Sequence, residues 1–221
     1  MARTPRTLLF DMDGTLLDSL HVWEDVDRAF LHRRGITVPD DYMRMVAAMP
    51  ARDIAAYTIG RFRLTGDTVD GLLAEWEDMA LERYTHDVRT KPGALDYVRR
   101  MAERGHPMAV VTTMTPRIRA AALDAAGLTG YMRMVIGTEH TPGGKATPGY
   151  YRHAAKLMGT TPHRCVTFDD MLAPLKAARE AGLATVAVHD PHAGADMERI
   201  RMTAHLTIPG FAHMPDTPPA P

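Results

Sequence analysis

Two carboxylates stand two residues apart, Asp11 and Asp13, in the run Phe10-Asp11-Met12-Asp13-Gly14-Thr15-Leu16-Leu17-Asp18-Ser19, directly after the short apolar stretch Leu8-Leu9-Phe10. Paired acids at a strand end can hold a hard cation such as magnesium through oxygen, or divide the roles of nucleophile and proton donor. Gly14 lets the backbone leave the strand sharply. Taken alone, the run also reads as an ordinary strand-to-helix turn, where Asp is common. Three later groups are of complementary type: the hydroxyls Thr112 and Thr113, Lys145 after Gly143-Gly144, and the acid pair Asp169-Asp170. Each has a plain alternative, as a strand or cap residue, a solvated loop cation and a helix N-cap. In chain order, each following an expected strand, they supply a nucleophile, a hydroxyl donor, a cation and a metal-binding acid at four strand ends of one sheet.

The elements needed to gather them are legible. Short β-rich runs occur at residues 108–112, 134–136, 166–168 and 184–188, with a weaker one at 206–208. Helical stretches alternate with them: residues 92–104 carry Leu95, Val98 and Met101 at helical spacing before Gly105, residues 118–126 end at Gly127, and residues 176–181 end at Gly182. Strand and helix in alternation predict an α/β fold, a Rossmann-like parallel sheet with helices on both faces and Leu8-Leu9-Phe10 as its central strand. Between residues 18 and 88 the alternation stops. Trp23, Val26 and Phe30 share one helical face, and Val69, Leu72, Leu73, Trp76 and Ala80 another, so this block predicts an inserted all-helical cap. The expected organisation is a catalytic core over residues 1–18 and 88–213, a cap over 19–87, and a Pro-rich disordered tail over 214–221.

Composition narrows the class. The 221 residues are 45% hydrophobic and 24% charged, close to a globular average. Lys plus Arg number 26 against 27 Asp plus Glu, so no global field draws nucleic acid or an anionic membrane. No apolar run reaches membrane-spanning length, and Leu8-Leu9-Phe10 is too short for a signal-peptide core. A single cysteine, Cys165, placed at a strand start, suits a reducing cytoplasm. A kinase-type P-loop fails around Gly144-Lys145, since Ala146 follows the lysine and Glu139 stands where the first glycine belongs. No Gly-x-Gly-x-x-Gly follows the first strand, which argues against a dinucleotide. His189-Asp190-Pro191-His192 has no further ligand in sequence reach and reads as a surface turn.

The four motifs together, Asp11-Met12-Asp13-Gly14-Thr15, Thr112, Lys145 and Asp169-Asp170, make the chain resemble the haloacid dehalogenase-like hydrolases, in the capped phosphatase and phosphomutase branch that includes β-phosphoglucomutase-like and phosphoglycolate phosphatase-like proteins. The resemblance runs over residues 7–211 and includes Lys91-Pro92-Gly93 after the expected cap. Two motifs depart from the usual pattern: Lys145-Ala146-Thr147-Pro148 stands for Lys-Pro-x-Pro, and Asp169-Asp170-Met171 for Glu-Asp-Ser. Neither loses a charge.

The resemblance implies a phosphatase acting on a small phosphomonoester such as a sugar phosphate, with magnesium as cofactor. It makes Asp11 the nucleophile and Asp13 the acid, then base. Metal ligation falls to Asp11, the Asp13 carbonyl and Asp170, with Asp169 in the same shell. Thr112 and Lys145 cradle the phosphate, with Gly14 and Thr113 as further contacts. Substrate choice falls to the cap, where Arg52, after Met49-Pro50, is placed to meet a second anionic group. A phosphomutase on the same scaffold is the alternative, disfavoured because Trp23 stands where the mutases carry a histidine. A silent phosphate-binding module is the third reading, and the intact Asp11 and Asp13 pair argues against it. The expected partner is a small phosphorylated substrate, with neither nucleic acid nor membrane, and the expected state a monomer or weak homodimer.

Overall fold

A computed structural model describes residues 5–46, 49–140, 143–191 and 197–220. Residues 1–4 and 221 of the expected core and tail, and His192 of the histidine run, lie outside the described residues. The chain divides into two units, Met1–Leu20 with Val88–Pro221, and His21–Asp87.

The first unit is built on six parallel strands, β1 (Thr7–Phe10), β2 (Met108–Thr112), β3 (Met134–Gly137), β4 (Cys165–Asp169), β5 (Ala184–Val188) and β6 (Leu206–Ile208), in the order β3-β2-β1-β4-β5-β6. Strand order reverses between β1 and its two neighbours, so the crevice at their carboxyl ends is where such sheets bind ligands. The central strands are mostly apolar because helices cover both faces; β1, β2, β4 and β5 are buried at every residue. Helices α5 (Ala94–Glu103), α6 (Pro116–Ala125), α7 (Pro148–Leu157), α8 (Leu172–Glu180) and α9 (Met197–Thr203) connect them. Three of these stop two residues before Gly105, Gly127 and Gly182, the glycines expected to end them. One face of the sheet packs an aromatic cluster in which Phe10 stacks on Phe168 with ring centroids 4.6 Å apart, joined by Tyr97 and Phe211. The other face packs Leu9, Val111, Tyr150, Tyr151 and Cys165. Residues 214–220, read from the sequence as a disordered tail, include the buried Met214, and Arg104 donates to Asp216 Oδ2 at 2.9 Å.

The second unit holds α1 (Val22–Arg33), α2 (Tyr42–Val46), α3 (Ala51–Phe62) and α4 (Val69–His86). Val22, Val26 and Phe30 form the buried stripe of α1, while Trp23 is 41% exposed, against the expectation that it shares their face. The reason is geometric: Trp23 lies about 100° around the helix from Val22, outside the i, i+4, i+8 stripe. On α4 the buried positions are Leu72, Trp76, Met79, Ala80 and Tyr84. Arg34 ties α1 to α4, lying 3.8 Å over the Phe30 ring and donating to Asp67 and Glu75.

Asp27, on α1, is mostly buried, and this burial, with Glu24 adding repulsion, pushes its carboxyl up to about 7. An unfolded Asp ionises near 4, so between roughly pH 4 and pH 7 the unfolded chain loses a proton that the folded chain keeps, and stability falls as pH rises through that window. Asp27→Asn is therefore expected to stabilise the protein by about 2 kcal/mol at pH 8 and hardly at all at pH 4, which thermal melts at both pH values will measure.

Candidate active site

Three of the groups lie at or just beyond the carboxyl end of a strand, and the fourth, Lys145, in the loop after β3. Asp11 follows β1, Thr112 ends β2, Asp169 ends β4 with Asp170 next to it, and Lys145 lies in a helical turn, Gly144–Ala146, ahead of α7. Parallel register accounts for this: Phe10, the last residue of β1, pairs with Val110 and with Phe168, so β4 runs one residue past it to Asp169 and β2 two residues to Thr112.

Lys145 is the hub. Its ammonium, 6% exposed as a residue, donates to Asp11 Oδ1 and lies 2.8 Å from Asp169 Oδ2. Burial alone would pull a lysine down, but the charges of Asp11 and Asp169 outweigh it and hold Lys145 well above its ordinary value, hence protonated. Asp169 spends its other oxygen on the backbone N–H of Met171, at 3.0 Å. Met171 thus serves the acid pair through its amide, and its side chain is 55% exposed. Asp170 accepts from Thr15 Oγ1 at 3.2 Å through Oδ1, while its buried Oδ2 has no hydrogen-bond partner among the described residues.

One carboxylate oxygen from each of Asp11, Asp169 and Asp170 falls within 4.8 Å of the others. Three buried acids at this spacing repel one another. Burial first, then Lys145 in opposition and the neighbouring carboxylates in reinforcement, leave Asp11 well above the usual carboxylate range. Burial and Asp169 likewise push Asp170 up to about 7. An all-oxygen, anionic cluster with an orphaned carboxylate oxygen is the environment that a hard divalent cation relieves. The residues present therefore fit a metal ion.

Asp13 is half-buried, and Ser19 Oγ donates to its Oδ1 at 2.6 Å. Gly14 has φ +72°, and a Cβ there would come 2.7 Å from Asp170 Oδ2, so both the left-handed turn and the close approach to the acid demand glycine. Thr112 is buried, with Oγ1 accepting from the Met114 N–H at 3.1 Å. Thr113 beside it is exposed. Arg52 belongs to α3 of the helical unit, where it donates to Asp70 Oδ1 at 2.7 Å.

Several residues of the site were not singled out by spacing. Thr15 and Ser19 sit inside the first motif, but their partners become visible only once the chain has turned back on itself. Asp190, read as part of a surface turn, is 2% exposed and pairs with Lys91 at 2.6 Å. A buried acid needs a compensating cation, and this one comes from 99 residues away. The loop that carries Lys145 begins at Gly137, where a side chain would collide with the ion pair of Arg119 and Glu139.

Known proteins are similar to this chain in sequence and in fold. Validoxylamine A 7'-phosphate phosphatase from Streptomyces hygroscopicus subsp. limoneus is 27% identical over 187 residues, 85% of this chain and 87% of that one. Fructose-1-phosphate phosphatase YqaB from Escherichia coli K12 is 30% identical over 181 residues, 82% of this chain and 95% of that one. A putative β-phosphoglucomutase from Thermotoga maritima superposes with a TM-score of 0.80 at 18% identity, covering 92% of this chain and 94% of that one, a likeness of fold. The sequence model of the haloacid dehalogenase-like hydrolases matches residues 5–182. The chain belongs to the haloacid dehalogenase-like hydrolase family.

Proposed function

We propose that the protein is a magnesium-dependent phosphatase of small phosphomonoesters, sugar phosphates or related metabolites, working through a phosphoryl group carried on Asp11. The observation that carries this reading is the buried ring of Asp11, Lys145, Asp169 and Asp170 at the strand ends. The curated relatives, phosphatases of validoxylamine A 7'-phosphate and of fructose 1-phosphate by their names, point to small phosphomonoesters as substrates.

In the first step a carboxylate oxygen of Asp11 attacks phosphorus, the ester P–O bond breaks, and Asp13 gives its proton to the departing alkoxide. In the second, water attacks the phosphorus of the aspartyl-phosphate, Asp13 takes the proton, and Asp11 leaves as a carboxylate with inorganic phosphate released. Lys145 and the Thr112 hydroxyl hold the oxygens of the transferring group, where fixed charge and positioning carry most of the catalysis. Gly14 and Thr113 offer further phosphate contacts. Asp11, Asp170 and the Asp13 backbone carbonyl would hold magnesium, whose positive charge would offset the repulsion of an anionic nucleophile and an anionic substrate. Asp169, ion-paired with Lys145 and accepting from the Met171 amide, would orient the lysine.

Phosphate release from a panel of sugar, nucleotide and small-acid monophosphates, with magnesium and with a chelator, tests the reading. Release that needs magnesium supports it; release indifferent to the chelator, or transfer of phosphate to give a bisphosphate, contradicts it. Asp13→Asn is expected to slow both chemical steps, lowering kcat by roughly 10² to 10⁴ while leaving KM within a fewfold, as steady-state kinetics on the best substrate will read.

A further inference from the structure

The Lys91 ammonium is buried away from the phosphate site, with three N–H groups and three acceptors: Gly14 O at 3.0 Å, His189 O at 3.0 Å and Asp190 Oδ2 at 2.6 Å. An ammonium whose every donor is spoken for has a fixed direction. The same residue's backbone N–H donates to Leu16 O at 2.9 Å, so Lys91 grips two carbonyls of the Gly14 to Leu16 turn at once. Asp190 neutralises the charge from the end of β5, and the His189 N–H beside it is pinned to Ile208 O on β6 at 2.9 Å.

The gripped turn borders the carboxylate cluster. The carbonyl taken by Lys91 belongs to the Gly14-Thr15 peptide; Thr15 Oγ1 at its far side donates to Asp170 Oδ1, and Asp170 Oδ2 lies where a Cβ on Gly14 would come within 2.7 Å of it. Rotating that peptide would move the hydroxyl that orients Asp170 and the surface that confines it. We propose that Lys91 and Asp190 form a positioning pair that, through the Gly14-Thr15 peptide, aims the unpartnered oxygen of Asp170 at the metal. The inference rests on the metal-dependent reading of the site and deepens it. Outer hydrogen-bond partners of metal ligands commonly matter by roughly 10- to 100-fold in affinity.

The test is magnesium binding to the full chain by titration calorimetry, beside thermal melting without metal. Lys91→Met alone would strand the Asp190 carboxylate in the core, so the informative variant is the double change Lys91→Met with Asp190→Asn. It is expected to melt cooperatively yet bind magnesium roughly 10- to 100-fold more weakly, with a raised magnesium requirement for turnover and substrate KM unchanged at saturating metal. Wild-type magnesium affinity in the folded double variant would overturn the proposal. Should the double variant not fold, Lys91→Arg keeps the charge against Asp190 but replaces a compact ammonium with a planar fork, and the same weakening is expected, unchanged affinity again being the contrary result. A wild-type protein that binds no magnesium overturns the reading of the cluster itself, and this proposal with it.

Discussion

Asp11→Asn is expected to lower phosphate release by a factor of at least roughly 10³ on every substrate the wild-type protein accepts, because an amide oxygen cannot replace the carboxylate as nucleophile. The same change is expected to leave the fold intact and to raise its melting temperature in the absence of metal. Asp11 sits buried among Asp13, Asp169 and Asp170 with its carboxyl held well above the ordinary range, so removing its charge relieves repulsion as well as desolvation. Circular dichroism and a melting curve in chelator, beside the activity assay, separate the two effects. Lost activity with a less stable fold would mean that Asp11 holds the site together rather than performing its chemistry.

Lys145→Met is expected to damage both activity and stability. The ammonium is the shared partner of Asp11 and Asp169, and its loss leaves both carboxylates facing each other in the core. Removing one member of a buried ion pair typically costs about 3–5 kcal/mol. Here the loss should be greatest in chelator at neutral pH and should shrink in acid, as protonation of the freed carboxylates quiets them. The rate should fall by roughly 10² or more, since the cation no longer meets the phosphoryl oxygens. Denaturant melts at pH 5 and pH 8 and single-substrate kinetics give both quantities. The opposite signs expected for Asp11→Asn and Lys145→Met in metal-free stability distinguish a crowded anionic site from an ordinary salt bridge.

The sheet was legible because a parallel strand buried on both faces is written as a near-continuous run of apolar and β-branched residues, and the runs at residues 108–112 and 184–188 coincide with β2 and β5. The four strand-end groups were legible for a related reason: chemistry confines Asp11, Thr112, Lys145 and Asp170 to residue types that stand out after apolar stretches. What escaped is what depends on pairing across long separations. Asp190 in a His-Asp-Pro-His run has the same local signature whether it faces water or a lysine from the other half of the chain. The contact of Asp169 with Lys145 likewise joins residues that no local pattern pairs. Trp23 escaped because a helical stripe has width, and a large apolar residue at its margin satisfies the periodicity without being covered.

The most direct test of the account is to find where the phosphoryl group rests during turnover. Wild-type protein mixed with its best substrate and magnesium, quenched in acid within the first turnovers and digested, is to be mapped by mass spectrometry. The account predicts one added phosphoryl group on the peptide containing Asp11, absent from Asp11→Asn and from samples made with chelator. Turnover with an unmodified Asp11 peptide, or a phosphoryl group on any other residue, would contradict it.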